Sequence, residues 1–290
     1  MLASPLALMA VREAFAAGKM ALSMHQQTSA AAGYQKSLEG WARAGIKNVE
    51  LTAASVDAFL KTDSLPAARR ILTDLGLTPV SSASGTFGIW EPGPMRAAAV
   101  ENFKRRCEMF ASLGLTRIYT PSAATQKFTQ DDYKAGADNM REVGMIAKQF
   151  GLTAMIEATR ASTFVAALPT MLNMTRAAGN VAPLLDCYHF WSGPSKLEDL
   201  DLIRPGEIGH VHFQDTPDLP RELLEQTTRV IPGDGVAPLE TILRKLSSKG
   251  YAGPLSVELF LPKFTQGDPF EVAREIRQKS EAVMRKARVM

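Results

Sequence analysis

The chain has 290 residues, 46% of them hydrophobic and 22% charged, and 33 basic against 30 acidic side chains leave a formal net charge of +3. That composition fits a soluble globular protein with a large core, and the basic surplus is too small to argue for nucleic acid or an anionic membrane as a partner. No run of 18 apolar residues could form a membrane span, and the two cysteines, Cys107 and Cys187, lie far apart without metal-type spacing, which suits a reducing cytoplasm rather than a disulfide framework.

Met1 to Ala17 is rich in Ala and Leu, but no basic segment precedes the apolar run and Arg12 and Glu13 interrupt it. Residues 1–18 therefore read as an N-terminal extension or extra helix, not a signal peptide, ahead of one domain over residues 19–290. Lys19 to His25 reads as a first strand, Tyr34 to Ala44 as a helix stopped by Gly45, and Asn48 to Thr52 as a second strand. Ser55 to Gly76 is mostly helical with a break at Ser64-Leu65-Pro66, and Leu77 to Ser81 is a third strand. The loop from Ser82 to Pro94 carries Gly85, Gly88, Trp90, Pro92, Gly93 and Pro94, a length and content suited to a lid or wall over a pocket. Met95 to Gly114 is a strong helix whose Lys104-Arg105-Arg106 cluster reads as a wet face. Thr116 to Thr120 is a fourth strand, and Asp131 to Phe150 a helix with Thr129 as its N-cap. Leu152 to Glu157 is a fifth strand, Ser162 to Ala178 a helix, and Ala182 to Cys187 a sixth strand. A short helical piece, Glu198 to Ile203, precedes a seventh strand, Ile208 to Phe213. Pro238 to Gly250 is a helix, Leu255 to Leu259 an eighth strand, and Pro269 to Arg288 the closing helix.

Eight strands alternating with helices imply parallel strands joined by right-handed crossovers. In one α/β domain that means a closed (β/α)8 TIM barrel. An open doubly wound sheet competes, but no Gly-rich dinucleotide turn follows the first strand.

The chain has four histidines, His25, His189, His210 and His212, all at or near predicted strand ends. Glu50, Glu157, Asp186 and Glu258 join them, making a polar ring at the mouth where barrel enzymes carry their chemistry. Within it, Glu157, Asp186, His212 and Glu258 are the expected metal ligands, since strands five to eight are neighbours in a barrel. Four unrelated buried polar residues would also satisfy the pattern, but each buried charge costs several kcal/mol unless compensated. Three carboxylates and one imidazole suit one divalent ion, Mn2+ first, with Co2+, Mg2+ or Zn2+ as alternatives. His210 shares a face with His212 but lies deeper, and reads as a core residue or as a support to the ligands.

The strand ending in Glu157, the motif Asp186-x-x-His189-Phe190, the pair His212-x-x-Asp215-Thr216, the run Arg229-x-x-Pro232-Gly233-x-Gly235 and the segment Ser256-Val257-Glu258-Leu259-Phe260 resemble the xylose-isomerase-like TIM-barrel superfamily of sugar isomerases and epimerases. Within it the chain is most similar to 2-keto-myo-inositol (inosose) isomerases. The likeness spans roughly residues 20–285 in layout and is most specific in the last third. It implies that the four ligand positions hold one divalent ion and that His189 and Arg229 contact substrate. It also implies that Glu157 and Glu258 move protons through a metal-stabilised enediolate. Metal contact would keep both glutamates' pKa values low. Arg229, always charged and bidentate, could offset developing negative charge; without the family likeness it would read as a surface loop arginine.

Two departures matter. Epimerases of this superfamily carry a second glutamate six residues after the first ligand, where this chain has Thr163, and Arg160 in the same turn brings a positive charge that hints at an anionic or strongly accepting substrate group. Inosose isomerases carry asparagine where His25 stands; His25 is then either an added acid/base or a hydrogen-bonded wall residue, in both cases next to substrate. Trp90, Phe190 and Trp191 suit either an apolar face for a ring or core packing.

The expected function is thus a metal-dependent isomerase or epimerase of a keto-polyol or sugar. The same site could instead serve a dehydratase or lyase on a keto-inositol or oxidised glycoside. A nuclease on the same barrel would need more histidines and a basic face, and a non-catalytic sugar-binding barrel would be expected to lose ligands. The partner is a small molecule, and the sequence leaves open the substrate's identity, the ion and whether the chain forms a homo-oligomer.

Overall fold

A computed structural model describes residues 18–290, so the extension expected at the N-terminus lies, apart from Gly18, outside the described residues. Eight parallel strands close into a barrel in chain order, β1 (Ala21–His25), β2 (Asn48–Thr52), β3 (Thr78–Ala83), β4 (Arg117–Pro121), β5 (Thr153–Glu157), β6 (Ala182–Asp186), β7 (His210–His212) and β8 (Pro254–Val257). β1 pairs with both β2 and β8, which removes every sheet edge. The expected (β/α)8 architecture is therefore the observed one.

Helix boundaries follow the caps. Thr129 starts the helix Gln130–Gln149 with a capping box, its hydroxyl accepting from Asp132 N–H while the Asp132 carboxylate accepts from Thr129 N–H. Ser64 caps Leu65–Asp74, which explains the break expected at Ser64-Leu65-Pro66. One expected helix is shorter. Ser162 to Ala167 is not helical, and the helix is Leu168–Ala178. Pro169 has no N–H for the preceding turn and its ring would clash with an upstream carbonyl, so it can only open a helix. Upstream, the Ser162 hydroxyl accepts from Phe164 N–H and Val165 N–H, a local alternative to helical bonding. The short helix Cys187–Ser192 was not anticipated.

The barrel wall has two faces. Outward residues such as Ile118, Ile156, Leu185, Val211 and Val257 are fully or almost fully buried against the helices. Inward residues differ around the circumference. Tyr119, Met155 and Leu184 form a small apolar cluster on β4 to β6. Ser23, Glu50, His210 and Ser256, on β1, β2, β7 and β8, are also fully buried, so polar groups fill the opposite side of the interior. No described helix is long and apolar enough to cross a membrane.

Candidate active site

Strand register brings the acids and the histidine to one level. Glu157 is paired with Leu184, two residues before Asp186; Asp186 is paired directly with His212; and His212 is paired with Ser256, two residues before Glu258. A closed barrel of eight strands with shear eight needs a stagger averaging about one residue per strand, so this drift matches the strand tilt and keeps the four side chains at equal height. Glu258 lies one residue beyond β8 instead of inside it, at the mouth.

The ligand-type atoms of Glu157, Asp186, His212 and Glu258 all lie within 4.8 Å of one another. His212 Nδ1 stands 2.9 Å from Glu157 Oε1, 3.6 Å from Asp186 Oδ2 and 3.7 Å from Glu258 Oε2. All four are buried. Three carboxylates and an imidazole converging this tightly have the chemistry of a divalent-cation site, so the residues fit such an ion. In the protein alone the two glutamates differ. Burial pushes Glu157 up to about 7 against the pull of His212. Burial also acts to raise Glu258, but Arg229 and His25 outweigh it and hold it below its usual value. The difference follows the arginine, whose guanidinium bonds the Glu258 carboxylate directly.

Arg229 is fully buried and enters the cluster from the loop after β7. Its Nη1 donates to Asp186 Oδ2 at 3.1 Å and to Glu258 Oε2, and its Nη2 donates to His189 Nε2 at 2.9 Å. The guanidinium carbon also sits 4.9 Å from the Phe260 ring centre and 5.3 Å from that of Tyr188. Asp215 explains why a loop residue is so well placed. Its carboxylate accepts backbone N–H bonds from Thr216, Gly233, Gly235 and Ala237, while its backbone pairs with Val230. Gly235 is required by that packing, because a Cβ there would lie 2.2 Å from the Thr216 carbonyl oxygen. The spaced motif around Arg229 and Asp215 is thus one folded unit.

The motif Asp186-x-x-His189 is a helix cap. Asp186 is the N-cap of Cys187–Ser192, and its Oδ1 accepts from His189 N–H at 2.6 Å, leaving Oδ2 for Arg229 and the Gln214 amide. His189 then turns back over the cluster. Burial lowers its pKa to about 4, so it is neutral and can accept from Arg229. His25 caps a 3-10 turn, its Nδ1 accepting from Gln27 N–H at 3.2 Å. Its Nε2 meets the Tyr119 hydroxyl at 3.1 Å, and Tyr119 donates to Glu258 Oε1 at 3.5 Å.

Arg160 is not brought into the cluster. Its guanidinium donates to the backbone carbonyls of Ser192, Arg221 and Leu224 and pins the loop after β7 to the rim. Thr163 is exposed and bonds the Gln126 carbonyl, also away from the cluster. Trp90 is buried with its indole N–H on the Thr120 carbonyl, so it is core wall, and Phe190 is buried too. Tyr119 and Gln214, which the sequence did not single out, touch the ligands directly, and Glu50, expected in the ring at the mouth, lies beneath them against His212. Tyr119 sits on β4 in a strand the sequence had placed, a signal that was present; Gln214 is an ordinary polar residue after a strand and carried none.

The (β/α)8 fold with a ring of strand-end acids and histidines defines a class of barrel, and residues 38–286 match the xylose isomerase-like TIM barrel family. The chain belongs to that family. It is 29% identical over 192 residues to an inosose isomerase of Halalkalibacterium halodurans, covering 64% of this chain and 68% of that protein. A 3-dehydroshikimate dehydratase of Pseudomonas putida is 28% identical over 234 residues, covering 77% of this chain and 35% of the dehydratase. A crystal structure of the IolI protein with a bound zinc atom superposes with a TM-score of 0.87 at 23% identity, covering 93% of this chain and all of that one.

Proposed function

We propose that this protein is a divalent-metal-dependent isomerase or epimerase of a keto-polyol or sugar, with a keto-inositol of the inosose kind as the favoured substrate class. The observation that carries the reading is the convergence of Glu157, Asp186, His212 and Glu258 from four consecutive strands to within 4.8 Å. The inosose isomerase relative supports the substrate class. An ion held by these four side chains would polarise a substrate carbonyl and make the adjacent C–H acidic. Mn2+ is assigned ahead of Co2+, Mg2+ and Zn2+ because the donor set is rich in carboxylate oxygen.

The protein's own groups supply the rest. Glu157 and Glu258 stand at the two ends of the arc from β5 to β8, with Asp186 and His212 between them. A substrate seated over the arc therefore has one carboxylate on each side. One takes a proton from carbon, and the other returns one to the neighbouring carbon or the opposite face. Arg229 and neutral His189 face the same space, and the fixed charge of Arg229 offsets negative charge developing on a substrate oxygen. His25 and Tyr119 keep Glu258 oriented from the other side.

A second reading has its own support. The dehydratase relative spans 77% of this chain, and proton removal beside a leaving group gives elimination from the same arrangement. Both readings are separated by following solvent deuterium into a panel of keto-inositols, ketoses and oxidised glycosides by NMR with added Mn2+. Deuterium on the carbon next to the carbonyl with retention of all oxygens indicates isomerisation or epimerisation. Loss of water or alcohol indicates elimination. No exchange into any member, with the ion bound, would refute proton transfer as the activity.

A further inference from the structure

Beneath the four proposed ligands, Glu50 is fully buried on β2, and its ion-pair partners among the described residues are two histidines, His210 and His212. Its carboxylate Oε2 lies 3.0 Å from His210 Nε2 and 3.2 Å from His212 Nε2. A carboxylate in such a place costs several kcal/mol unless its neighbours compensate, and here the compensating groups are two imidazole edges. The rings of His210 and His212 stand edge to face, 5.7 Å apart, so they present separate N–H groups to one acid.

The two nitrogens of His212 face different neighbours. Nδ1 points at Glu157, Asp186 and Glu258, and Nε2 points at Glu50. A neutral imidazole has one N–H and one lone pair, and which nitrogen holds the lone pair decides whether the ring can coordinate. We propose that Glu50 is a positioning residue that holds the Nε2–H of His212 and so presents the Nδ1 lone pair to the cation; this rests on the reading of the quartet as a metal site. Two acceptor oxygens meet two donors. The aligned bond at present runs from His210 to Oε2, while Glu50 Oε1 and His212 Nε2 lack an aligned partner. A rotation of the carboxylate gives each histidine one oxygen. His210 has a further partner in the Ser256 hydroxyl at 2.9 Å, so it can share without loss.

A rival use of the same atoms exists. His25, Glu50 and His212 also have ligand-type atoms within 4.8 Å of one another and could hold a second ion, with His212 bridging. Both nitrogens of His25 are already engaged, by Gln27 N–H and by the Tyr119 hydroxyl, which favours the positioning role.

The test uses the full chain labelled with 15N-histidine and loaded with 113Cd, together with calorimetric titration of Zn2+. The expected result is one ion per chain and a one-bond cadmium coupling to Nδ1 of His212, with Nε2 remaining protonated. Glu50→Gln is expected to weaken Zn2+ binding 10- to 100-fold, the effect usual when a partner orienting a ligand is lost. His210→Asn, which removes the other partner of Glu50 but leaves His212 in place, is expected to bind Zn2+ close to the wild-type affinity. Coupling to Nε2, two ions per chain, or an unchanged affinity in Glu50→Gln would each overturn the role of Glu50 while leaving the quartet as a metal site. A wild-type chain that binds neither ion would overturn both readings. Should Glu50→Gln not fold, the coupling measured in the wild-type chain still decides.

Discussion

Replacing Arg229 by glutamine should weaken the metal-free protein far more than the metal-loaded one. The guanidinium is fully buried and lies 3.1 Å from Asp186 Oδ2, with Glu258 Oε2 also bonded to Nη1. At that distance each ion pair is worth about 5 kcal/mol before desolvation, taking an effective dielectric of about 20. Breaking a buried pair by removing one partner costs about 3–5 kcal/mol net, because the remaining charge is left uncompensated. With about 2.1 cal/mol/K of unfolding entropy per residue over 290 residues, that is a fall in Tm of about 5–8 °C in the presence of a chelator. A saturating divalent ion supplies the missing positive charge to Asp186 and Glu258, so the fall should shrink to half or less. Scanning calorimetry of both proteins, with chelator and with Mn2+ or Zn2+, gives the four midpoints. A variant that loses the same amount in both conditions, or less than about 2 °C with chelator, would show that Arg229 is not the countercharge of this cluster.

Glu258→Gln keeps the shape of the side chain but removes its basicity; turnover on an identified substrate should drop about 10²- to 10⁴-fold, and full activity would refute the proton-transfer role. Asp215→Asn turns an amide group toward the N–H donors of Gly233 and Gly235. It should cost at least about 1–3 kcal/mol and lower kcat through Arg229, an outcome checked by urea unfolding and steady-state kinetics. Cys107 and Cys187 are fully buried, and burial pushes the Cys107 thiol up to about 12. A thiol reagent at pH 8 should leave the native protein untouched and titrate two groups after denaturation; fast labelling of the native chain would contradict the packing of both.

Much of the architecture is legible from local pattern. Short strand-like runs such as Asn48 to Thr52 and Ala182 to Asp186 are separated by stretches of helical periodicity, and strands joined through helices pair in parallel by crossover connections. Where the pattern misleads, the cause is local chemistry. The helix after β5 reads six residues too long because the apolar periodicity of Phe164 and Val165 masks the stop that Pro169 imposes. The convergence of Glu157, Asp186, His212 and Glu258 was also legible, since each is a costly charge or imidazole at the end of a run that must be buried. Arg160 shows the opposite. Its charge next to Glu157 suggested a substrate contact, yet its donors meet three backbone carbonyls that no linear pattern reveals.

By itself the sequence determined the alternation of strand and helix, the closure of eight such units, and which polar side chains must stand at strand ends, because these follow from periodicity and from the cost of burying charge. The tertiary structure alone decided which of those groups share a hydrogen. It placed Arg229 among the carboxylates through the four N–H bonds gathered by Asp215, and it set Glu50 under His212 from a strand far away in the chain. Barrel stagger and loop closure fix such distances, and both depend on every strand being paired at once.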